Sequence, residues 1–212
     1  MGVLLSVANI SEEFWKTRKE YPPVTCNFKR RYLDVGIVLK YIENANSILD
    51  LGCGEGQILL MLRELSNIKK YYGYDLSEIF INNLVKRWGN YPGLEAKVVN
   101  FIETDDIPIT DVCICMGVML YILNDNDLEY MLSNIKSNIL ICRIPCNLDV
   151  DRLEIDKFSK EFNFNYAAVY RTLPEYVSIL SKFFNIKSID RCYPDEIESL
   201  YGSKQFFFVC KK

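Results

Sequence analysis

The segment Asp50-Leu51-Gly52-Cys53-Gly54-Glu55-Gly56 sets a carboxylate before three glycines on alternate positions. Such a run lets a backbone turn tightly and lie against a ligand, because no Cβ stands in the way. The spacing then narrows the ligand class. A dinucleotide fingerprint needs its third glycine one residue later, where Gln57 stands, and no Gly-Lys-Ser/Thr follows to make a phosphate loop. Asp50 would repel a pyrophosphate and suits a cofactor that carries positive charge. A second carboxylate, Asp75, follows Gly54 by roughly 20 residues, the interval at which an acid accepts ribose hydroxyls in nucleotide folds. There is no histidine, so the commonest general base is missing and a base, where one is needed, must be Asp, Glu, Tyr or Lys. Arg143, Arg171 and the Arg30-Arg31 pair could grip an anion through forked hydrogen bonds. Tyr121 and Tyr170 could shape a pocket, with plain packing as the alternative for each.

These groups need elements to hold them. Ser47 to Leu51 predicts a buried parallel strand, and Ile58, Met61, Leu62 and Leu65 recur at helical spacing from Gln57 onward. A strand, a glycine turn and a helix in that order present unpaired N–H donors to a ligand. Lys70 to Tyr74 predicts a second strand with Asp75 at its tip, and Ser77 to Trp88 a helix stopped by Gly89. Further strands are expected over Glu95 to Phe101, Asp111 to Met116 and Asn138 to Ile144, with a helix over Asp125 to Ile135. Asn185 to Asp190 and Gln205 to Cys210 predict a closing strand pair. Thr172-Leu173-Pro174-Glu175 is a capping box with proline in the first turn, and the helix it opens carries Tyr176, Ile179, Leu180 and Phe183. Near the N-terminus, Ser11 is expected to cap a helix that has Glu12 and Glu13 in its first turn and stops at Tyr21-Pro22-Pro23. A second helix is expected over about Asn27 to Ile42. Cys146 to Tyr170 shows no clean period.

The glycine run, Asp75 at the next strand's tip and the stretch Met116-Gly117-Val118-Met119-Leu120-Tyr121 resemble motifs of the class I S-adenosylmethionine-dependent methyltransferases, in their small-molecule branch. The resemblance covers Ala45 to Pro145, and the closing helix and strands in outline. It implies an α/β fold: a Rossmann-like sheet of seven mostly parallel strands, helices on both faces and a reversed last strand. It implies one domain, with a helical cap over 1–44, a cofactor core over 45–145, a variable cap segment and helix over 146–182, and a terminal strand pair over 183–212. The implied cofactor is S-adenosylmethionine, with S-adenosylhomocysteine as product, held by Asp50, Gly52, Cys53, Gly54, Gly56, Asp75, Leu76 and Met116. Family members usually place an acid at the third strand's end, against the adenine amino group. This chain has Asn100-Phe101 there, an amide oxygen and a stacking face. Tyr121 and Arg143, beyond the fourth strand and near the end of the fifth, are the candidate catalytic residues. N-terminal helices of the family line the acceptor pocket, which makes Tyr21, Arg31 and Tyr32, together with Tyr170 and Arg171, candidate substrate-binding residues.

A methyl on a sulfonium is already electrophilic, so the protein must supply placement, dehydration and sometimes a base. Without histidine, the expected acceptor is an anion or another group nucleophilic near neutral pH. The competing account is an alcohol served by an unidentified Asp, Glu or Tyr. Adenine-N6 and glutamine methyltransferases carry Asn/Asp-Pro-Pro-Tyr where Met116-Gly117-Val118-Met119 stands, and the Pro-Cys of cytosine-C5 enzymes appears here after the fifth strand. Other readings are a catalytically silent binding or scaffold subunit, or a protein or RNA methyltransferase.

At 212 residues, half of them hydrophobic and a quarter charged, the chain suits one ordinary globular domain. A net charge of −3 and a pI near 5.2 give no electrostatic footprint for nucleic acid. Eight cysteines without a C-x-x-C pair read as free, mostly buried thiols in a reducing cytoplasm. No metal site is expected, since a Cys/His site is excluded. No segment is apolar over the length a membrane span needs. Met1-Gly2-Val3-Leu4-Leu5-Ser6 fits the myristoylation pattern, which is short and matched often by chance. The expectation is a cytoplasmic monomer or homodimer acting on a small molecule. Asn-, Ile- and Lys-rich usage fits bacterial biosynthesis of a surface polysaccharide or secondary metabolite.

Overall fold

Strand β1 (Ser47–Leu51) is buried on both faces from Ile48 to Leu51, with Asp50 its one charged residue, so it must lie inside a sheet covered from two sides. In the computed structural model, residues 7–20, 28–160, 164–191, 193–194 and 202–212 are described. Beside β1 run β2 (Lys70–Asp75) and β3 (Leu94–Val98) on one flank, and β4 (Val112–Met116) and β5 (Ile139–Cys146) on the other, all parallel. A hairpin, β6 (Leu153–Ser159) and β7 (Phe164–Tyr170), follows and forms its own two-stranded sheet. Strands β8 (Asn185–Arg191) and β9 (Lys204–Lys211) complete the main sheet, whose order is β3-β2-β1-β4-β5-β9-β8. Strand β9 runs antiparallel to both neighbours. This is the seven-stranded, mostly parallel, Rossmann-like sheet with a reversed last strand that the resemblance implies.

Among the described residues, six α-helices surround it: α1 (Val7–Thr17), α2 (Phe28–Leu39), α3 (Gln57–Leu65), α4 (Glu78–Trp88), α5 (Asp125–Asn134) and α6 (Leu173–Ser181). Ile48, Ile114 and Ile141 face α2 and α3, where they meet Val35, Val38, Ile58 and Leu62. Leu49, Cys113 and Cys142 face the other layer, with Leu128 of α5 and Leu180 of α6. Fully burying one such aliphatic side chain contributes about 1.5–3 kcal/mol. A slip of one residue would exchange the two layers, so this double burial pins the register. Six cysteines among the described residues are free and buried. No helix among them is long and apolar enough to cross a membrane.

Several boundaries differ from expectation. Ser11 does not cap α1. The helix begins at Val7, and the Ser11 hydroxyl donates instead to the Tyr121 carbonyl at 3.1 Å, which leaves Glu12 and Glu13 outside the first turn. Helix α2 ends at Leu39 because Lys40 and Tyr41 tighten onto Ile37 and Val38 in i→i−3 bonds. Strand β3 stops at Val98, and Asn100 and Phe101 enter a turn closed by Glu103 N–H to Asn100 O. The least readable segment holds the β6–β7 hairpin, which the sequence reading missed. The Tyr21-Pro22-Pro23 stop and the myristoylation pattern lie outside the described residues.

Candidate active site

The chain winds outward from β1 in both directions, through β2 on one side and β4 on the other. Such a reversal opens a crevice beyond the carboxyl ends of the strands. The glycine turn stands at its edge. Gly52 has φ +76° and donates to the Tyr74 carbonyl at 2.7 Å, and a Cβ there would sit 2.2 Å from Val118 Cγ2. The turn therefore presses against the tip of β4, a fit that glycine alone allows.

Asp75, at the tip of β2, accepts the Gly54 N–H through Oδ2 and the Ser77 N–H through Oδ1, both at 2.9 Å. Asp50 is 2 % exposed and accepts the Tyr71 hydroxyl. Burial pushes the Asp50 carboxyl up to about 7, against the Tyr71 hydrogen bond and helped by the charge of Asp75. Burial also raises Asp75, opposed by the N–H groups of Ser77, Gly54 and Leu76. Among the described residues no cationic side chain pairs with either carboxylate. Two buried acids answered by neutral donors suit a ligand that brings its own positive charge.

A single cavity joins this turn to the rest of the expected site. Asp50, Gly52, Cys53, Asp75, Leu76, Asn100, Phe101 and Met116 line it, as do Tyr121, Arg143, Arg31 and Tyr170. Gly54 and Gly56 do not. A Cβ on Gly56 would meet Leu84 Cδ1 at 3.2 Å, so that glycine serves the packing of α4 against the turn. Tyr32 is 56 % exposed and away from the cavity, and Tyr21 lies outside the described residues.

Arg171 is a correction. It is fully buried, its Nε donates to Asp125 at 2.7 Å and its Nη2 to the Ile122 carbonyl at 2.9 Å. It braces the loop after β4 from behind and does not face a ligand. Arg143 does line the cavity, but Asp34 and Gln205 already hold it: Nε lies 3.2 Å from an Asp34 oxygen, and Nη1 donates to Gln205 at 2.8 Å. The pair is electrically balanced, which removes most of its pull on an anionic acceptor.

Sequence reasoning missed Asp34, Trp15, Tyr166 and Gln205, all on the cavity wall. Helix α1 and strand β7 roof it. Trp15 meets Tyr121 edge-on at 4.9 Å, Tyr121 meets Tyr166 at 6.0 Å, and the Tyr166 and Tyr170 hydroxyls are 3.2 Å apart. Burial pushes the Tyr121 phenol up to about 12, so it stays protonated at neutral pH. The Trp15 indole N–H is buried without a partner among the described residues. A sequence signal for this roof existed, since Phe162, Phe164 and Tyr166 alternate with Asn163 and Asn165 before the apolar run Ala167 to Tyr170.

A family model described as a methyltransferase domain matches residues 49–140. No curated protein matches the chain by sequence. Among solved structures, a SAM-dependent methyltransferase from Leishmania major superposes with a TM-score of 0.72 at 12% identity, over 96% of this chain and 83% of that one. Magnesium protoporphyrin IX methyltransferase from Synechocystis, solved with bound SAM, gives 0.66 at 13% identity over the whole of both chains. An S-adenosylmethionine-dependent methyltransferase from Clostridium acetobutylicum gives 0.62 at 15%, over 88% of this chain and 93% of that one. These likenesses concern the fold, and the domain match falls on β1 to β5, the part that carries the glycine turn and Asp75. The chain thus holds a stretch that matches a methyltransferase-domain model, set in a sheet with the fold of S-adenosylmethionine-dependent methyltransferases.

Proposed function

We propose that the protein methylates an oxygen or nitrogen of a small polar molecule, bound in the same cavity as the cofactor. S-adenosylmethionine supplies an electrophilic methyl when bound. Asp75 is assigned to the ribose hydroxyls, Asn100 and Phe101 to the adenine, and Asp50, Leu76 and Met116 to the cofactor's remaining contacts. Tyr121 and Arg143 border the acceptor, with Arg31 and Tyr170 further out. The observation that carries this reading is the continuity of one cavity from the paired carboxylates at the turn to the aromatic roof. Its volume of about 260 Å³ is on the scale of a small-molecule pocket. Under that roof Trp15, Tyr121 and Tyr166 displace water, and the neutral phenols donate hydrogen bonds that orient the acceptor.

Calorimetry of S-adenosylmethionine binding tests the cofactor half. Charge-assisted hydrogen bonds contribute roughly 1.5–3 kcal/mol each, so Asp75→Ala should weaken binding at least about tenfold. Unchanged affinity in a folded variant would remove the assignment, and wild type that binds no cofactor would favour a scaffold subunit. A screen of small alcohols, amines and acids for S-adenosylhomocysteine release tests the acceptor half.

A further inference from the structure

Among the described residues, Asp34 is the one carboxylate on the acceptor side of the cavity that is sealed from bulk water. It projects from α2 and is 4 % exposed, yet it lines the cavity. Its oxygens accept from the Tyr193 hydroxyl and from Arg143 Nε, at 3.2 and 3.3 Å for the latter. The place matters as much as the chemistry. The tip of β4 is the joint between the two halves of the cavity: Val118 touches the glycine turn, and Gly117 touches Arg143, whose Nη2 lies 2.9 Å from where a Gly117 Cβ would be. Arg143 thus links Asp34 to the tip of β4, between the two halves of the cavity.

We propose that Asp34 takes the proton released in the transfer, and that the acceptor enters as a neutral hydroxyl or amine. This rests on the methyl-transfer reading of the cavity. The acceptor's oxygen or nitrogen lone pair forms the bond to the methyl carbon. The carbon–sulfur bond breaks with its electron pair kept by sulfur, and the acceptor's proton passes to an Asp34 oxygen. Tyr193 and Arg143 are positioning residues, holding the carboxylate with a lone pair turned to the cavity. The other candidates serve less well. Tyr121 and Tyr166 are buried phenols held protonated, Asp50 lies on the turn side under Tyr71, and Glu12 and Asp127 stand half-exposed at the rim. Burial raises the Asp34 carboxyl from its ordinary range, opposed by Arg143, Tyr193 and Arg30, which makes it a stronger base than an exposed carboxylate.

The charged and titratable groups facing Asp34 are Arg30 on its own helix, Arg143 from β5 and Tyr193 beyond β8. Asp34→Asn keeps the side-chain volume. It should leave S-adenosylhomocysteine affinity unchanged by calorimetry while turnover of the acceptor found by the release screen falls 10²–10⁴-fold. Wild type should show an acid limb in kcat/KM that Asp34→Asn lacks. Tyr193→Phe should move that limb to higher pH, since it removes a donor to the charged form; a merely structural Asp34 would give no such shift. Carbon-13 NMR of labelled aspartates in wild type with S-adenosylhomocysteine bound needs no turnover. There the signal lost in Asp34→Asn should titrate above the ordinary carboxylate range. A signal that stays ionised through that range, or a variant with full turnover, overturns the proposal while cofactor binding stands. Wild type that binds no S-adenosylhomocysteine overturns both readings.

Discussion

Asp50 and Asp75 are buried together beside the glycine turn, and their cost to the free protein sets a pH dependence. The Asp50 carboxyl stands at about 7 in the fold against an ordinary value near 4 when unfolded. Its folded-state pKa is raised, so this group's contribution to the free protein's stability is fully present below about pH 4 and is lost as pH climbs towards 7, by a few kcal/mol. A cationic cofactor prefers the ionised acid, so its affinity should rise over the upper part of that window. Asp50→Asn should flatten both slopes, as read by urea denaturation and by calorimetry between about pH 5 and pH 8. A wild-type protein with pH-independent affinity would contradict this. Both acids were legible in the sequence because a glycine turn and the next strand tip are neighbours within one strand–helix–strand unit. Asp34 was not, since a lone acid between Leu33 and Val35 looks like any helix residue until Arg143, 109 positions away, is placed beside it. Arg171 is hidden for the same reason: its partners are Asp125, 46 positions earlier, and carbonyls of the loop after β4, which no spacing reveals.

At the scale of elements, the roof is the part most easily lifted. Helix α1 has 11 residues and depends on Phe14, which is buried against Phe164 and Tyr166. Truncating a buried phenylalanine costs about 3–5 kcal/mol, more than a short isolated helix can spare. Phe14→Ala should therefore undock α1 without melting the sheet. Hydrogen exchange should accelerate across Val7–Thr17 while β1 and β4 stay protected, and Trp15 emission should move to the red. Uniform loss of protection would show instead that α1 is integral to the core. The parallel strands were readable because two-sided burial writes them as apolar runs. The β6–β7 hairpin was not, because Glu154, Asp156 and Lys157 interrupt one strand. The aromatic alternation of the other was overlooked.

Across the whole molecule, the fold class was legible and the acceptor was not, and one arrangement explains both. The part of the cavity proposed for the cofactor is lined from consecutive units within residues 49–140, whereas the part proposed for the acceptor is lined from α1, α2, β5, β7 and β9. Strand β9 is the piece that closes this assembly. It is paired along one side with β5 and along the other with β8, and it carries Gln205 to Arg143. Deleting residues 204–211 should leave β5 and β8 without their shared partner and abolish cooperative melting, as followed by circular dichroism. A retained sharp transition would mean that the five parallel strands stand alone. The same placement has a consequence for synthesis. A ribosome delivers β5 first and must then make the hairpin, α6 and β8 before the strand that covers its open side. Until then a bare, oily edge waits in the crowd, where neighbouring chains can pair with it. The speed at which residues 147–203 are translated should therefore govern how much of the protein survives its own birth.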